Sequence, residues 1–148
     1  MKKIRRILHP TDFSPASRRA LEQAIAMARR EKAELVIVHV LSVVVPVVGD
    51  GYMSPAAFEE VQSSMRLSGQ KQLDAALGRA RKAGARARGL LLEGVAPTQI
   101  ARAAKSQRAD VVVMGTHGRT GLTRLLLGSV AERVVGTAPC PVLTVRGR

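Results

Sequence analysis

Two rhythms of apolar residues alternate along the chain. Ile4 to Leu8 is a short apolar-leaning run that ends at His9-Pro10, and because proline cannot continue a central ladder it predicts a strand that stops there. Ser14-Pro15 then reads as an N-cap followed by proline at the first helical position. Leu21, Ala24, Ile25 and Ala28 recur at the three-and-four spacing of a buried helical stripe, with Arg18, Glu22, Arg29 and Arg30 outside it. Glu34 to Leu41 is nearly continuous and β-branched, the pattern of an interior parallel strand covered on both faces.

The rhythm repeats through the rest of the chain. Val43 to Ser54 carries Pro46, Gly49 and Gly51 and reads as a loop. A long helix is expected from about Pro55 to Ala83, with Phe58, Val61, Met65, Leu73 and Leu77 on its apolar side and a kink or break near Gly69. Gly84 closes that helix as a left-handed cap, and Ala85 to Leu92 is the third strand. Pro97 fits the first turn of a helix running through Ala104, and Asp110 to Met114 is the fourth strand. A last helix over Val130 to Val135, stopped by Gly136, precedes a fifth strand over Val142 to Val145. The order β-α-β-α-β-α-β-α-β argues for one parallel sheet with helices on both faces, joined by right-handed crossovers.

Composition narrows the function. A chain of 148 residues with 46% apolar content fits one domain, residues 1–148, and excludes a disordered protein or a multi-domain enzyme. The longest apolar run, Val43 to Val48, is broken by Pro46 and falls far short of the roughly 18 residues of a membrane span. Ile7-Leu8 is too short for a signal peptide, and the single Cys140 makes no internal disulfide, so a cytoplasmic location is expected. His9, His39 and His117 are scattered, without the clustering of a structural zinc site. The net charge of +13 invites a nucleic-acid partner, but the cations are dispersed and no aromatic residues interleave with them to stack bases. The densest run, Arg79, Arg81, Lys82, Arg86 and Arg88, lies by an expected helix end, where positive charge complements the helix dipole; nucleic acid is not the expected partner.

Candidate chemistry concentrates after the fourth strand, in Gly115-Thr116-His117-Gly118-Arg119-Thr120-Gly121 and, further on, Gly128-Ser129-Val130. Glycines allow a tight turn and close approach of backbone to a ligand, and the N–H groups opening the last helix make an anion site, so the two segments together could hold a phosphate chain. Each residue also has a plainer reading. Ser129 with Glu132 forms a capping box pattern, and Gly115 can simply permit the turn. Arg119 can reach a phosphate through its guanidinium fork or be solvated. His117 can donate to a phosphate, or act in slow hydrolysis, or be a surface histidine. His39, in an interior strand, reads as a hydrogen-bonded core histidine, and Cys140 as a small buried residue. Neither Gly-x4-Gly-Lys-Ser/Thr nor Gly-x-Ser-x-Gly is present, which disfavours a powerful kinase or hydrolase.

The spacing Gly-x2-Gly-x9-Gly-Ser of Gly115, Gly118, Gly128 and Ser129 resembles the nucleotide-binding signature of the universal stress protein family. Ile7-Leu8-His9-Pro10-Thr11-Asp12-Phe13-Ser14 is similar to the family's first strand and its Pro-Thr-Asp-x-Ser turn, except that His9 stands where an aliphatic residue is expected. Ala109 to Arg124, Gly128 to Glu132 and Ala138 to Leu143 resemble its C-terminal blocks, whereas Val43 to Gly69 shows no useful resemblance. The resemblance implies an α/β fold with an open five-stranded parallel sheet, order 3-2-1-4-5, Rossmann-like and akin to the adenine nucleotide alpha hydrolases. With that order the ligand crevice falls where the strand order reverses, between Pro10-Thr11-Asp12 and Gly115 to Gly118. Asp12 then has two readings, a ribose acceptor or a turn carboxylate assisting the helix after Ser14. The family comparison adds Val40 as a wall for adenine. It also implies ATP as the ligand, with Mg2+ held mainly through the phosphates, and a homodimer formed along the last strand, where Val142, Leu143 and Val145 make an apolar edge. The expected function is therefore an adenine-nucleotide binding module in stress response, with at most slow ATP hydrolysis. The alternatives are a dimeric interaction protein of the same fold that has lost nucleotide binding, and a weak ATPase.

Overall fold

The computed structural model describes residues 2–43, 47–48, 51–117 and 127–147. Five strands, β1 (Arg6–Pro10), β2 (Glu34–Leu41), β5 (Arg86–Glu93), β6 (Val111–Gly115) and β7 (Val142–Val145), form one sheet in the order β5-β2-β1-β6-β7. All four pairings are parallel. Counting only these five strands, the order is the expected 3-2-1-4-5. Four helices connect them: α1 (Pro15–Glu31), α2 (Pro55–Lys82), α3 (Ala96–Ser106) and α4 (Ser129–Thr137).

Strand alternation divides the interior into two layers. Ile7, Leu35, Ile37, Val111 and Val113 pack against α1 and α2, through Leu21, Ala24, Ile25 and Ala28 and through Leu73, Ala76, Leu77 and Ala80. Their neighbours in the same strands, Leu8, Val36, Val38, Val112 and Met114, pack against Ile100, Ala103 and Ala104 of α3 and Ala131 and Val134 of α4. The helical stripe read in α1 is the one that is buried, and Ser14 caps it by accepting the Ser17 amide at 3.2 Å.

Several local expectations need correction. Val43 to Ser54 is not all loop: β3 (Val47–Val48) and β4 (Gly51–Tyr52) pair antiparallel. Strands of two residues are too short to show a period. The helix α2 runs unbroken through Gly69, which is buried: a Cβ there would lie 3.0 Å from Leu41 Cδ2 and 3.4 Å from His39 Cδ2. Glycine at this position lets the helix approach β2 closely rather than breaking it. Of the five apolar residues expected to face the core, only Leu73 and Leu77 are buried, while Val61 is exposed. A helix of 28 residues spans about 42 Å and an eight-residue strand about 26 Å, so the N-terminal half of α2 outruns the strands it covers. Gly84 (φ 90°) terminates α2 as expected, whereas α4 continues past Gly136 to Thr137. Gly78, on the exposed side of α2, would place a Cβ in open space. Gly78→Ala is expected to raise the unfolding free energy by about 1 kcal/mol, measured by urea denaturation, because helix propensity alone changes there.

Candidate functional site

The strand order reverses between β1 and β6, and a crevice of about 290 Å³ opens beyond their carboxyl ends. Pro10, Thr11, Asp12, Val40, Gly115, His117, Gly128, Ser129 and Val130 all line it. Gly118 and Arg119 lie outside the described residues. The sequence does not mark Ser17, Val38, His39, Ala96, Ile100, Met114 or Ala131 as crevice residues, although each is on its wall. Most of these are apolar core residues whose upper ends become visible only when the strands splay, and nothing in their local pattern marks them.

The lining divides by chemistry. Val38, Val40, Ala96 and Ile100 present an apolar surface suited to a flat, weakly polar group. The first turn of α4 offers backbone N–H groups that helix geometry leaves unsatisfied. Gly128 is the N-cap of α4, and its own amide is committed to the Thr116 carbonyl at 2.6 Å, so it is not one of the available donors. Ser129 is the first helical residue and makes no capping hydrogen bond, so the expected capping box with Glu132 does not form. A backbone placed one residue earlier than the pattern suggested therefore leaves the exposed Ser129 hydroxyl at the crevice without a capping role. Thr116, buried, donates its amide to the Val145 carbonyl at 2.9 Å, and its hydroxyl lies 2.8 Å from His117 Nδ1.

On the β1 side the turn is tightly built. Asp12 Oδ1 accepts the Ser14 amide at 2.9 Å and the Ser17 hydroxyl at 2.8 Å, so the carboxylate does assist the start of α1 while also lining the crevice. Thr11 Oγ1 accepts the Phe13 amide at 3.0 Å, and Phe13 occupies the left-handed region (φ 63°), where a bulky residue is strained. Its ring is held 4.4 Å from that of His39. His39 is the hydrogen-bonded histidine its strand position suggested, donating from Nδ1 to the Thr11 carbonyl at 2.8 Å. His9 is fully buried and donates from Nδ1 to the Val113 carbonyl at 2.8 Å; burial lowers its pKa to about 4, against the opposing effects of that bond and of Asp12. Gly115 reaches neither turn nor ligand through a positive φ. A Cβ there would lie 3.2 Å from the Ala16 carbonyl carbon and 3.4 Å from the Ser17 amide nitrogen, so the glycine is required by the approach of β6 to the first turn of α1. Among the described residues no three His, Cys, Asp or Glu side chains gather as a metal site.

An open, parallel α/β sheet with a two-sided crevice at its switch point is the place where folds of this kind bind small ligands. Sequence comparison gives the family: the model of the universal stress protein family matches residues 3–146, and the chain belongs to that family. It is 39% identical over 142 residues to a universal stress protein of Methanocaldococcus jannaschii, covering 96% of this chain and 82% of that one. A Bacillus subtilis universal stress protein is 31% identical, covering 95% and 98%. Among solved structures, a family member from Burkholderia pseudomallei is 30% identical with a TM-score of 0.76, covering 98% of each chain. The same fold, at 21% to 24% identity, occurs in family members solved with cAMP, with AMP (Arabidopsis thaliana) and with dAMP (Archaeoglobus fulgidus). No described helix is long and apolar enough to cross a membrane.

Proposed function

We propose that the chain is a single domain that binds one adenine nucleotide, ATP, in the crevice between β1 and β6 and acts through occupancy of that site rather than through turnover. The observation that carries the reading is the division of the crevice into an apolar wall, Val38, Val40, Ala96 and Ile100, and a helix N-terminus with the exposed Ser129 hydroxyl beside it. A base suits the first and a phosphate chain the second. That family members of the same fold carry AMP, cAMP and dAMP supports the adenine ring as the shared element. In this reading Asp12 accepts from the ribose, Pro10 and Thr11 floor the turn, and Gly115, His117, Gly118, Arg119, Gly128, Ser129 and Val130 surround the phosphates. Mg2+ in this reading is held mainly by the phosphates of the nucleotide. The lone Cys140 suits a reducing, cytoplasmic setting.

Calorimetric titration with ATP and Mg2+, alongside AMP and cAMP, at about 0.15 M salt to suppress non-specific anion binding to the basic surface, tests the reading directly. Saturable binding at one site per chain is expected, and no heat with any of the three would end it. Ser129→Ala is expected to weaken ATP binding roughly tenfold, the worth of one hydrogen bond to a charged group, with an unchanged melting temperature because the hydroxyl does not cap α4.

We further propose a homodimer through β7, an edge strand of the sheet on which Leu143 is 42% exposed. An apolar edge with open backbone groups favours pairing with a second copy. Leu143→Arg is expected to give a monomer in sedimentation velocity while wild type sediments as a dimer; a wild-type monomer at micromolar concentration removes this proposal.

A further inference from the structure

The crevice exists because β1 and β6 stop pairing early, and one side chain spans the gap where they part. On β1 the Thr11 amide donates to the Val38 carbonyl of β2 at 2.8 Å, so by strand alternation the backbone of residue 10 is turned toward β6. On β6 the Val112 amide donates to the Pro141 carbonyl, on the β7 side, at 2.9 Å, so the backbone of Val113 is turned toward β1. The β1–β6 register consists of Ile7↔Val111 and Leu8↔Val112. The next rung of a parallel ladder would run from the amide of residue 10 to the Val113 carbonyl, and residue 10 is a proline, with no N–H to give.

A carbonyl in a dry interior needs a donor, and His9 provides one. Its Nδ1 lies 2.8 Å from the Val113 oxygen. A carbonyl oxygen only accepts, so Nδ1 carries the proton and Nε2 is the bare nitrogen, buried and without a hydrogen-bond partner. The opposite end of the same strand pair is also tied by a side chain, Asp110, whose Oδ2 accepts the Arg5 and Arg6 amides at 2.8 and 3.0 Å. Two rungs of sheet are thus clamped below by a carboxylate and above by an imidazole.

We propose that His9 is a positioning residue of the ligand site: its imidazole replaces the rung that Pro10 removes and so sets the separation of Pro10–Asp12 from Gly115–His117 across the crevice. The inference rests on the nucleotide reading for its ligand, but not for the brace itself. Pro10 ends the ladder and lets the strands diverge; His9 fixes how far. Because burial keeps the ring neutral down to about pH 4, the same nitrogen donates throughout the physiological range.

Nitrogen-15 spectra of the wild-type protein at pH 7 should show His9 in the Nδ1–H tautomer with a hydrogen-bond coupling to the Val113 carbonyl; an Nε2–H tautomer overturns the brace. In the ligand-free protein, His9→Leu should speed amide exchange over Met114 to His117 while Ile7, Leu8 and Val112 keep their protection. It should also weaken ATP binding about tenfold, the equivalent of one hydrogen bond, and His9→Asn, whose side-chain amide reaches the Nδ1 position, should restore affinity to within about threefold of wild type. Wild-type ATP affinity in a folded His9→Leu, or exchange unchanged over Met114 to His117, overturns the positioning role. If His9→Leu does not fold, a folded His9→Asn with affinity more than about tenfold below wild type overturns it instead. Should the wild-type protein bind no adenine nucleotide, the functional reading fails, and the tautomer and exchange measurements still decide whether His9 braces the strands.

Discussion

Between pH 6.5 and pH 4 the protein should lose unfolding free energy at about 1.4 kcal/mol per pH unit through His9, a total of about 3 kcal/mol. The sign follows from the two states. An unfolded His9 titrates near 6.5 and the folded one near 4, because the charged ring would have to sit in a dry interior. Above pH 6.5 neither state binds the proton and the stability is present in full. As the pH falls below 6.5 only the unfolded chain takes the proton, and by pH 4 the contribution is gone. Urea unfolding of wild type and His9→Asn at pH 7, 5.5 and 4.5 isolates the effect, since the asparagine does not titrate and the carboxylates are common to both. The variant should show the shallower loss. Parallel pH profiles for the two proteins would place the acid lability elsewhere.

Gly115→Ala should lower stability by about 1 to 3 kcal/mol, an overpacking cost, even though the change adds a single methyl. The methyl would meet backbone, the Ala16 carbonyl and the Ser17 amide, which cannot swing aside as the end of a side chain would. The relief available is a shift of the first turn of α1, and that turn carries the Asp12, Ser14 and Ser17 hydrogen bonds on the β1 side of the crevice. ATP affinity should therefore fall together with the urea midpoint. Stability within about 0.5 kcal/mol of wild type would mean that the close approach of β6 to α1 is not as tight as the 3.2 Å contact implies.

Much of this architecture is legible in the sequence because the strong signals are local. Ser14-Pro15 starts a helix by the chemistry of two adjacent residues, and the β-branched run from Leu35 to Val40 needs cover on both sides. The errors arise where a residue's reason for being there is a distant neighbour. Gly69 looks like a helix breaker until β2 is seen against it, and the close approach of α1 to Gly115 has no trace in the residues around that glycine. Ser129 and Gly128 are both acceptable caps, so the choice between them turns on the Thr116 carbonyl, twelve residues earlier than Gly128 in the chain, that claims the Gly128 amide. The glycines and the Pro-Thr-Asp turn point to the crevice, and the family comparison adds Val40, but the rest of the apolar wall is silent in the sequence, since Ile100 and Ala96 read as ordinary helix core. His9 did carry a signal. A histidine just before a proline, at the end of an interior strand, combines a lost amide donor with a side chain able to replace it.

Thr116 has a consequence for how the domain can change. Its amide is pinned to Val145 and its carbonyl receives the Gly128 amide, so the sheet edge and the start of α4 are both held at a single residue. The end of β6, the edge strand β7 and the start of α4 are thus tied together at one buried residue. A displacement of the helix N-terminus at the crevice therefore pulls on the sheet edge through bonds of 2.6 and 2.9 Å.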